Sequence, residues 1–230
     1  MRACPSTTPT DPPPGPVPRC RVCGRAVHGG RARCPPVCYC CRTVAGQLRL
    51  PLVPLVALCE YRVGDGTHRR LRAYKDAAVA EVRDRSRVEL VDQLAVRCDG
   101  GLDGPVGRLV PWAVVTTVPS TSRPGGAPAE GLADAVPFLA DRHRRLLVRG
   151  PGTGGHLRAG RDVFTLAPGV ERAGLADLPV LVFDDTTTTG AAAQSAAATL
   201  RLAGARVVGA LVMGRALAPC AVGGATEPSR

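Results

Sequence analysis

One stretch of the sequence constrains the fold more than any other: VLVFDDTTTTGAAAQ, from Val180 to Gln194. The apolar run before it, Leu178 to Phe183, lacks the polar alternation of a half-exposed strand, so it predicts a strand buried on both faces. After Gly190 the sequence becomes rich in alanine, which predicts a helix that stops near Gly204. A buried strand that leads directly into a helix is typical of α/β proteins.

The rest of the chain also alternates between strand-like and helix-like segments. The turn Gly64-Asp65-Gly66 indicates a hairpin or the end of a strand, and the apolar residues that follow it have helical spacing up to Val96. Further strands are predicted at Trp112–Pro119, Leu146–Val148, Val163–Leu166 and in the late run ARVVGALVMGRAL, and a helix is predicted at Gly131–Arg142. The alternation predicts an α/β fold with a mostly parallel sheet flanked by helices, in which ligands bind beyond the carboxyl ends of the strands.

The charge of the chain favours partners that carry phosphate. The formal net charge is +11, and of the 30 basic residues only Lys75 is a lysine. A basic surface attracts nucleotides, nucleic acid or pyrophosphate, although a solvated arginine-rich surface would have the same composition. No GxxxxGK[ST] motif occurs, so the sequence argues against a P-loop nucleotidase.

No segment predicts export or membrane insertion. The first 18 residues are rich in proline and predict a disordered extension, and residues 221–230 predict a flexible tail. The longest apolar stretch, Leu50 to Cys59, contains two prolines and is shorter than the ~20 residues that cross a bilayer. We therefore expect a cytoplasmic protein whose cysteines are reduced.

Six cysteines lie between Cys20 and Cys41, in CRVCGRAVHGGRARCPPVCYCC. Cys20 with Cys23, and Cys38 with Cys41, form two CxxC pairs, and two such pairs supply the four thiolates that a structural Zn²⁺ prefers. Cys34 could replace one member of the second pair. The segment 19–45 is accordingly predicted to be a zinc finger, called the finger below.

The sequence leaves open whether other residues of the finger bind the metal and whether the finger contacts nucleic acid. Cys40 and His28 are surplus candidate ligands, and the isolated Cys4, Cys59, Cys98 and Cys220 are interpreted as ordinary thiols. A site with four thiolates has no open position for substrate, so its role is expected to be structural. The arginines between the cysteines would suit nucleic acid, but an aromatic content of 3% offers few platforms for base stacking.

The segment from Asp184 to Gly190 has the residues that a sugar phosphate requires. A loop of threonines and glycine that enters a helix can bind an anion through backbone N–H groups, with help from the helix dipole. Two carboxylates just before the loop can accept hydrogen bonds from sugar hydroxyls or bind a divalent cation. Together these features predict a site for a ribose 5-phosphate, in preference to a simple helix cap.

VLVFDDTTTTG resembles the binding motif for phosphoribosyl pyrophosphate (PRPP) of the type I phosphoribosyltransferases. With the four-cysteine segment and the YKD sequence at Tyr74 to Asp76, the chain from Arg19 to Leu217 is similar to the ComF-like branch of that family. The resemblance implies transfer of a phosphoribosyl group from Mg-PRPP to a nitrogen acceptor, with release of pyrophosphate. It also allows a non-catalytic, competence-type protein that senses PRPP and contacts nucleic acid through the finger.

The same resemblance assigns roles to residues. Asp184 and Asp185 would bind the ribose hydroxyls and are the candidate catalytic residues, and Thr188, Thr189 and Gly190 would bind the 5-phosphate. The loop VPSTSRP would bind pyrophosphate, and Lys75 could add an ammonium near phosphate. The implied PRPP site is completed by Thr186, Thr187, Ala191, Ala192, Ser120, Thr121, Ser122 and Arg123.

The sequence suggests how these parts are organised. A phosphoribosyltransferase-like domain is expected at 50–220, after the finger at 19–45, and a homodimer could form through apolar surface. Because the larger domain has apolar residues enough for its own core, metal removal is expected to leave PRPP binding largely intact. No motif identifies the acceptor.

Overall fold

The computed structural model describes residues 18–27, 37–98, 105–109, 111–120 and 128–217. Its elements alternate between helices and strands for most of the chain. The helices are α1 (Tyr39–Leu48), α2 (Gly66–Asp76), α3 (Ala80–Cys98), α4 (Pro128–Ala133), α5 (Pro137–Ala140) and α6 (Ala191–Leu202). The strands are β1 (Leu55–Tyr61), β2 (Val114–Thr117), β3 (Leu147–Arg149), β4 (Phe164–Leu166), β5 (Pro179–Thr187) and β6 (Arg206–Ala216).

Four of the strands form one parallel sheet in the order β1-β6-β5-β2. The central strands β5 and β6 are long, and β5 has partners on both sides. The predicted α/β class with a mostly parallel sheet flanked by helices is therefore confirmed. This arrangement places the carboxyl ends of all four strands at one edge, where ligands bind in such sheets.

Strand β5 is buried on both faces, as its continuous apolar sequence predicts. Val180 and Val182 point to one face, and Leu181 and Phe183 point to the other. The first, called the α6 face, is covered by α6, β3 and β4. The second is covered by α2, α3, α4 and α5, so the domain has three layers.

Alanine is what brings α6 close to the sheet. Ala193, Ala196 and Ala197 are buried against the α6 face, where short side chains allow the helix backbone to approach the strands. The buried Gln194 amide fixes the neighbouring segment, because it accepts a hydrogen bond from Val53 N–H (3.0 Å) and donates one to the Val53 carbonyl (2.8 Å). The helix after the threonines is thus confirmed at Ala191–Leu202.

Two predicted strand boundaries are wrong, one because a neighbouring strand extends the element and one because the element is shorter than predicted. Strand β5 ends at Thr187 rather than at Phe183, since β6 continues beside it and aligns Asp184 with Val212 and Thr187 with Arg215. Asp184 and Asp185 therefore lie inside the last part of the strand. Conversely, the segment predicted at Trp112–Pro119 contains a shorter strand, β2.

The region after β2 differs more from the prediction. The helix expected at Gly131–Arg142 is two short helices, because Pro137 begins a new helix at its first position. The strands expected near Leu146 and Val163 are present, but they pair with each other in an antiparallel ribbon outside the main sheet. The helical stretch up to Val96 is divided into α2 and α3.

Strand β1 was not predicted, since its sequence follows Pro51 and Pro54 in the apolar run from Leu50. The prolines precede the strand and leave its hydrogen-bonding positions free; β1 begins at Leu55 and pairs with β6. Among the described residues, no helix is long and apolar enough to cross a membrane.

The finger is packed against the main sheet. Its Cys20, Cys23, Cys38 and Cys41 belong to the same hydrophobic cluster as Val180 and other residues of the α6 face. A second cluster, which includes Leu181 and Phe183, contains no described residue of the finger. The expectation that the larger domain has its own core stays a prediction. The boundaries at 19–45 and 50–220 stay predictions.

Candidate functional site

The acidic pair lies at the edge of the sheet where parallel strands end. Asp184 and Asp185 are both buried, with 9% and 5% of their surfaces exposed. Two adjacent carboxylates at such depth are costly unless other groups stabilise them, because burial removes their hydration. The groups that contact each carboxylate therefore indicate which of the two is free to bind a ligand.

Helix α2 supplies the partners of Asp185. The Lys75 ammonium is 2.7 Å from Asp185 Oδ1 and 3.0 Å from Thr186 Oγ1, and Thr186 Oγ1 donates to Asp185 Oδ1 at 3.0 Å. The Tyr74 hydroxyl donates a hydrogen bond to Asp185 Oδ2. The structure thus places Lys75 on a carboxylate, whereas its expected contact with phosphate stays a prediction.

Asp184 has a different hydrogen-bond partner from Asp185. One of its oxygens, Oδ1, accepts a hydrogen bond from the Asp185 N–H at 3.0 Å. Burial raises the pKa of the Asp184 carboxyl well above its ordinary value, and the neighbouring Asp185 charge raises it further. A cation or a hydroxyl donor that reaches Asp184 would stabilise its charged form.

A cavity of about 320 Å³ opens beside the acidic pair. It contains several groups that were predicted from the sequence to share a site: Lys75, Ser120, Asp184, Asp185, Thr186 and Ala192. Its other walls are Arg72, Asp76, Val118, Pro119, Pro128 and Ala129. The ends of β2 and β5, the end of α2 and the beginning of α6 therefore meet around one space that could hold a ligand with several charged parts.

Another cavity, of about 390 Å³, lies between α3 and α4 and is lined by Arg87, Val88, Val91, Gly131, Asp134 and Ala135. It contains neither of the paired carboxylates nor the beginning of a long helix. Of these two cavities, the one beside the acidic pair is the better candidate, because it combines both paired carboxylates and the Lys75 ammonium with the beginning of α6 at Ala192.

The rest of the threonine loop (Thr186–Gly190) faces the finger instead of that cavity. Thr187 to Gly190 line a narrow space together with residues of the finger. Thr187 Oγ1 accepts from Gly190 N–H at 2.9 Å, and Thr189 Oγ1 accepts from Ala191 N–H at 3.4 Å. An anion that uses those two N–H groups would have to displace the threonine hydroxyls.

Three predicted residues of the pyrophosphate loop, Thr121, Ser122 and Arg123, lie outside the described residues. Ser120, the first of that loop, lines the cavity beside the acidic pair. The role of the loop in pyrophosphate binding stays a prediction.

The four predicted metal ligands come together. The Sγ atoms of Cys20, Cys23, Cys38 and Cys41 all lie within 4.8 Å of one another, and all four residues are buried. Sγ of Cys23 is 3.7 Å from Sγ of Cys38. Zn–S bonds of about 2.3 Å in a tetrahedron separate the sulfurs by about 3.8 Å, so the cluster fits zinc. His28 and Cys34 lie outside the described residues.

The cysteines of this cluster shift the pKa values of one another's thiols. Hydrogen bonding with Cys23 lowers the pKa of the Cys38 thiol far below its ordinary value, because the neighbours stabilise its thiolate. The partners that donate are held protonated: the bond with Cys38 raises the pKa of Cys23 to about 12, and the bond with Cys23 raises the pKa of Cys41. A metal that replaces these protons would therefore release them on binding.

Several functional candidates were missed as site residues. The end of α2 that faces the acidic pair contains Arg72, Tyr74 and Asp76. The YKD sequence, which contains the only lysine of the chain, was the signal that could have identified them. Arg25 and Arg215 connect the finger to the threonine loop and to the sheet, and they were indistinguishable from the other arginines in the sequence.

The chain was also compared with known proteins. Neither the protein-family models nor the curated proteins gave a significant match. The functional assignment therefore depends on the geometry described above.

Proposed function

We propose that the protein binds Mg-PRPP in the cavity beside the acidic pair and transfers its phosphoribosyl group to a nitrogen acceptor. The observation that carries the proposal is the convergence of Asp184, Asp185, Lys75, Ser120 and Ala192 around one cavity of about 320 Å³ at the carboxyl ends of parallel strands. A ribose with a phosphate at each end needs charged and polar groups of this variety within a short distance.

The parts of PRPP match different walls of the cavity. The carboxylates of Asp184 and Asp185 would accept hydrogen bonds from the ribose hydroxyls, with Asp184 the more available because Lys75 and Tyr74 already contact Asp185. The 5-phosphate would lie at the beginning of α6, where Ala192 lines the cavity and the helix dipole favours an anion. To reach the Gly190 and Ala191 N–H groups, it would displace the hydroxyls of Thr187 and Thr189. The pyrophosphate would extend toward Ser120.

The proposed reaction is a displacement at the anomeric carbon. The nitrogen lone pair of the acceptor forms a bond to that carbon, and the carbon–oxygen bond to pyrophosphate breaks, with the electron pair leaving on oxygen. Mg²⁺, when bound with PRPP, would neutralise charge on the departing pyrophosphate. The residues of this chain would bind and orient the ribose, so that catalysis comes mainly from positioning and charge stabilisation.

Calorimetric titration of the full chain with PRPP in the presence of Mg²⁺ tests the proposal. We expect saturable binding that Asp184→Asn together with Asp185→Asn abolishes. Binding that is absent in the natural chain, or unchanged in the double variant, would contradict the assignment. Pyrophosphate release measured with purine, pyrimidine and ammonia acceptors would then identify the acceptor.

A second candidate function uses the same cavity without turnover: a PRPP sensor that contacts nucleic acid. The exposed finger residues Arg19, Arg21 and Arg42 favour it, because exposed guanidinium groups can bind phosphates. PRPP binding with no pyrophosphate release for any acceptor would support this role. Nucleic acid affinity should then fall steeply with salt concentration, whereas a flat response would contradict the contribution of the arginines.

Two further properties belong to the proposal. Reduced thiols in the finger suit a cytoplasmic location, because thiolate metal sites persist where thiols stay reduced. A homodimer stays a prediction, which sedimentation of the full chain would test.

A further inference from the structure

The threonine loop is contacted from outside its own domain. The Arg25 guanidinium, from the finger, donates through Nη2 to the Thr188 carbonyl at 2.7 Å and to the Ala216 carbonyl at 3.2 Å. The first bond reaches the loop between β5 and α6, and the second reaches the last residue of β6. A single side chain of the finger therefore fixes the threonine loop relative to the sheet.

This contact sets the direction of the peptide bond that follows Thr188. In a trans peptide the carbonyl and the next N–H point in opposite directions. Because Arg25 holds the Thr188 carbonyl toward the finger, the N–H of Thr189 points away from the finger. That is the orientation in which the loop can offer this N–H to an anion at the beginning of α6.

The position of Arg25 depends on the turn that carries two of the four cysteines. The Arg25 carbonyl accepts a hydrogen bond from Cys20 N–H at 2.8 Å, and Gly24 N–H donates to the Cys20 carbonyl at 2.8 Å. Cys20 and Cys23 both belong to the cluster that fits zinc. A metal that holds the two cysteines together would thus also hold the backbone from which Arg25 extends.

Other contacts attach the same turn to the sheet. Leu55 N–H, at the beginning of β1, donates to the Val22 carbonyl at 2.8 Å. The buried Arg215 of β6 donates to the Cys23 carbonyl and forms an ion pair with Glu60 of β1. The turn is therefore bonded to β1 and β6 as well as to the threonine loop.

We propose that Arg25 is a positioning residue for the 5-phosphate, and that the metal-held turn of the finger orients the threonine loop through it. This inference rests on the proposed PRPP function. It predicts, against the expectation from the sequence, that metal removal weakens PRPP binding. Without the metal the turn would keep its backbone hydrogen bonds but would lose the link that holds Cys20 and Cys23 to Cys38 and Cys41 and so limits the movement of Arg25.

The first experiment separates a local effect on the loop from a general loss of structure. Full-length, zinc-loaded Arg25→Ala is titrated with ribose 5-phosphate, with PRPP and with pyrophosphate, each in the presence of Mg²⁺. We expect affinity for the first two to fall about tenfold, equivalent to about 1.4 kcal/mol, and pyrophosphate affinity to change less than about twofold. Equal losses for all three ligands, or none, would overturn the proposal.

Two further variants control for charge. Arg21→Ala removes one positive charge from an exposed position of the same turn and should leave all three affinities unchanged. Arg25→Lys retains the charge, but its shorter side chain does not carry a nitrogen to the position of Arg25 Nη2, which donates to both carbonyls, so it should recover only part of the affinity. A loss in Arg21→Ala equal to that in Arg25→Ala would overturn the proposal in favour of long-range charge.

The second experiment tests the dependence on metal. Zinc is removed with a chelator from the natural chain and from Arg25→Ala, and ribose 5-phosphate binding is measured again. If the metal acts through Arg25, metal removal should weaken the natural chain about tenfold and should weaken Arg25→Ala much less, since coupled changes are not additive. Additive losses, or no effect of metal removal, would overturn the coupling.

Amide hydrogen exchange of the segment 186–194 gives a readout that needs no ligand. Arg25→Ala and the chelated natural chain should both exchange faster there than the zinc-loaded natural chain and Arg21→Ala. If PRPP fails to bind while this exchange pattern is observed, the proposed function fails and the role of Arg25 in positioning the loop stands. If PRPP binds and exchange is identical in all four samples, the positioning role fails alone.

Discussion

The protein contains two buried clusters of like groups, and they are stabilised in different ways. At the carboxyl ends of the parallel strands, the Lys75 ammonium lies 2.7 Å from the Asp185 carboxylate, so the chain itself supplies a cation for this acidic pair. In the finger, the four Sγ atoms lie within 4.8 Å of one another. The Arg25 guanidinium is 4.0 Å from Sγ of Cys40, outside the cluster, and the Arg215 guanidinium donates to the backbone carbonyl of Cys23 instead of to a sulfur. The first cluster is internally paired, and the second is arranged for an external cation.

The difference indicates the role of each cluster. An acidic pair of which one member is paired keeps the other, Asp184, available for a ligand that can arrive and leave. Four buried sulfurs this close together fit a metal with no open coordination position, and such a site serves structure. The contrast predicts that metal loss unfolds the finger locally, whereas ligand loss leaves the fold intact.

The largest expected effect is that of removing the metal. Cys20→Ser should reduce the zinc content from one atom per chain to about none and make the finger sensitive to protease, because structural zinc sites contribute on the order of 10 kcal/mol to folding. Metal analysis and limited proteolysis measure both. Since binding displaces thiol protons, zinc affinity should also be weaker at pH 5 than at pH 8.

Matched cysteine variants sharpen this test. Cys40→Ser changes a half-buried cysteine of α1 next to the candidate ligand Cys41 and should retain zinc. Cys34→Ser should also retain it if Cys38 and Cys41 form the second pair. Zinc loss in Cys34→Ser with retention in Cys41→Ser would instead show that Cys34 is a ligand.

The second effect comes from breaking the internal pair. Lys75→Met leaves Asp185 buried without its cation and should lower the free energy of unfolding by about 3 kcal/mol, near the lower end for a buried pair because 17% of the Lys75 side chain is exposed. Denaturant unfolding measures the change. Adding Asp185→Asn should recover much of the loss, whereas additive losses would show that the two groups are not coupled.

In the third effect, one substitution raises stability and lowers ligand binding. Asp184 has a raised pKa in the folded state, so its contribution to stability is complete below the unfolded pKa of about 3.9 and is lost as pH rises through the folded value. At pH 8, Asp184→Asn should therefore raise the melting temperature by about 2–4 °C, although it should weaken the proposed PRPP binding. The gain should disappear near pH 4. If the variant is instead less stable at pH 8, neighbouring groups of the folded protein stabilise the charged Asp184 carboxylate.

Some of the site could be predicted because it is local in sequence. The buried strand, the acidic pair and helix α6 are consecutive, and the four cysteines occur as two short-range pairs, so spacing alone indicated both clusters. Strand β1 was missed because its apolar run follows two prolines, and its assignment as a strand depends on pairing with β6.

The contacts between distant segments could not be predicted. Arg25 reaches Thr188, and Tyr74 reaches Asp185, across more than a hundred residues. In a sequence with so many arginines, nothing marks Arg25 as the one that contacts a backbone carbonyl. The burial of the cysteines against the sheet likewise depends on the tertiary arrangement, whereas composition suggested a separate finger.

The smallest effect that we predict comes from Tyr74, the other partner of Asp185. Tyr74→Phe removes the hydroxyl that donates to Oδ2 but leaves the Lys75 ammonium on Oδ1, so Asp185 keeps its cation. The free energy of unfolding should fall by about 1 kcal/mol, less than in Lys75→Met. Tyr61→Phe is the control, because Tyr61 is similarly buried and its ring contact with His68 is retained by phenylalanine. A loss in Tyr74→Phe as large as that in Lys75→Met would mean that the hydroxyl, and not the ammonium, is the main stabiliser of the acidic pair.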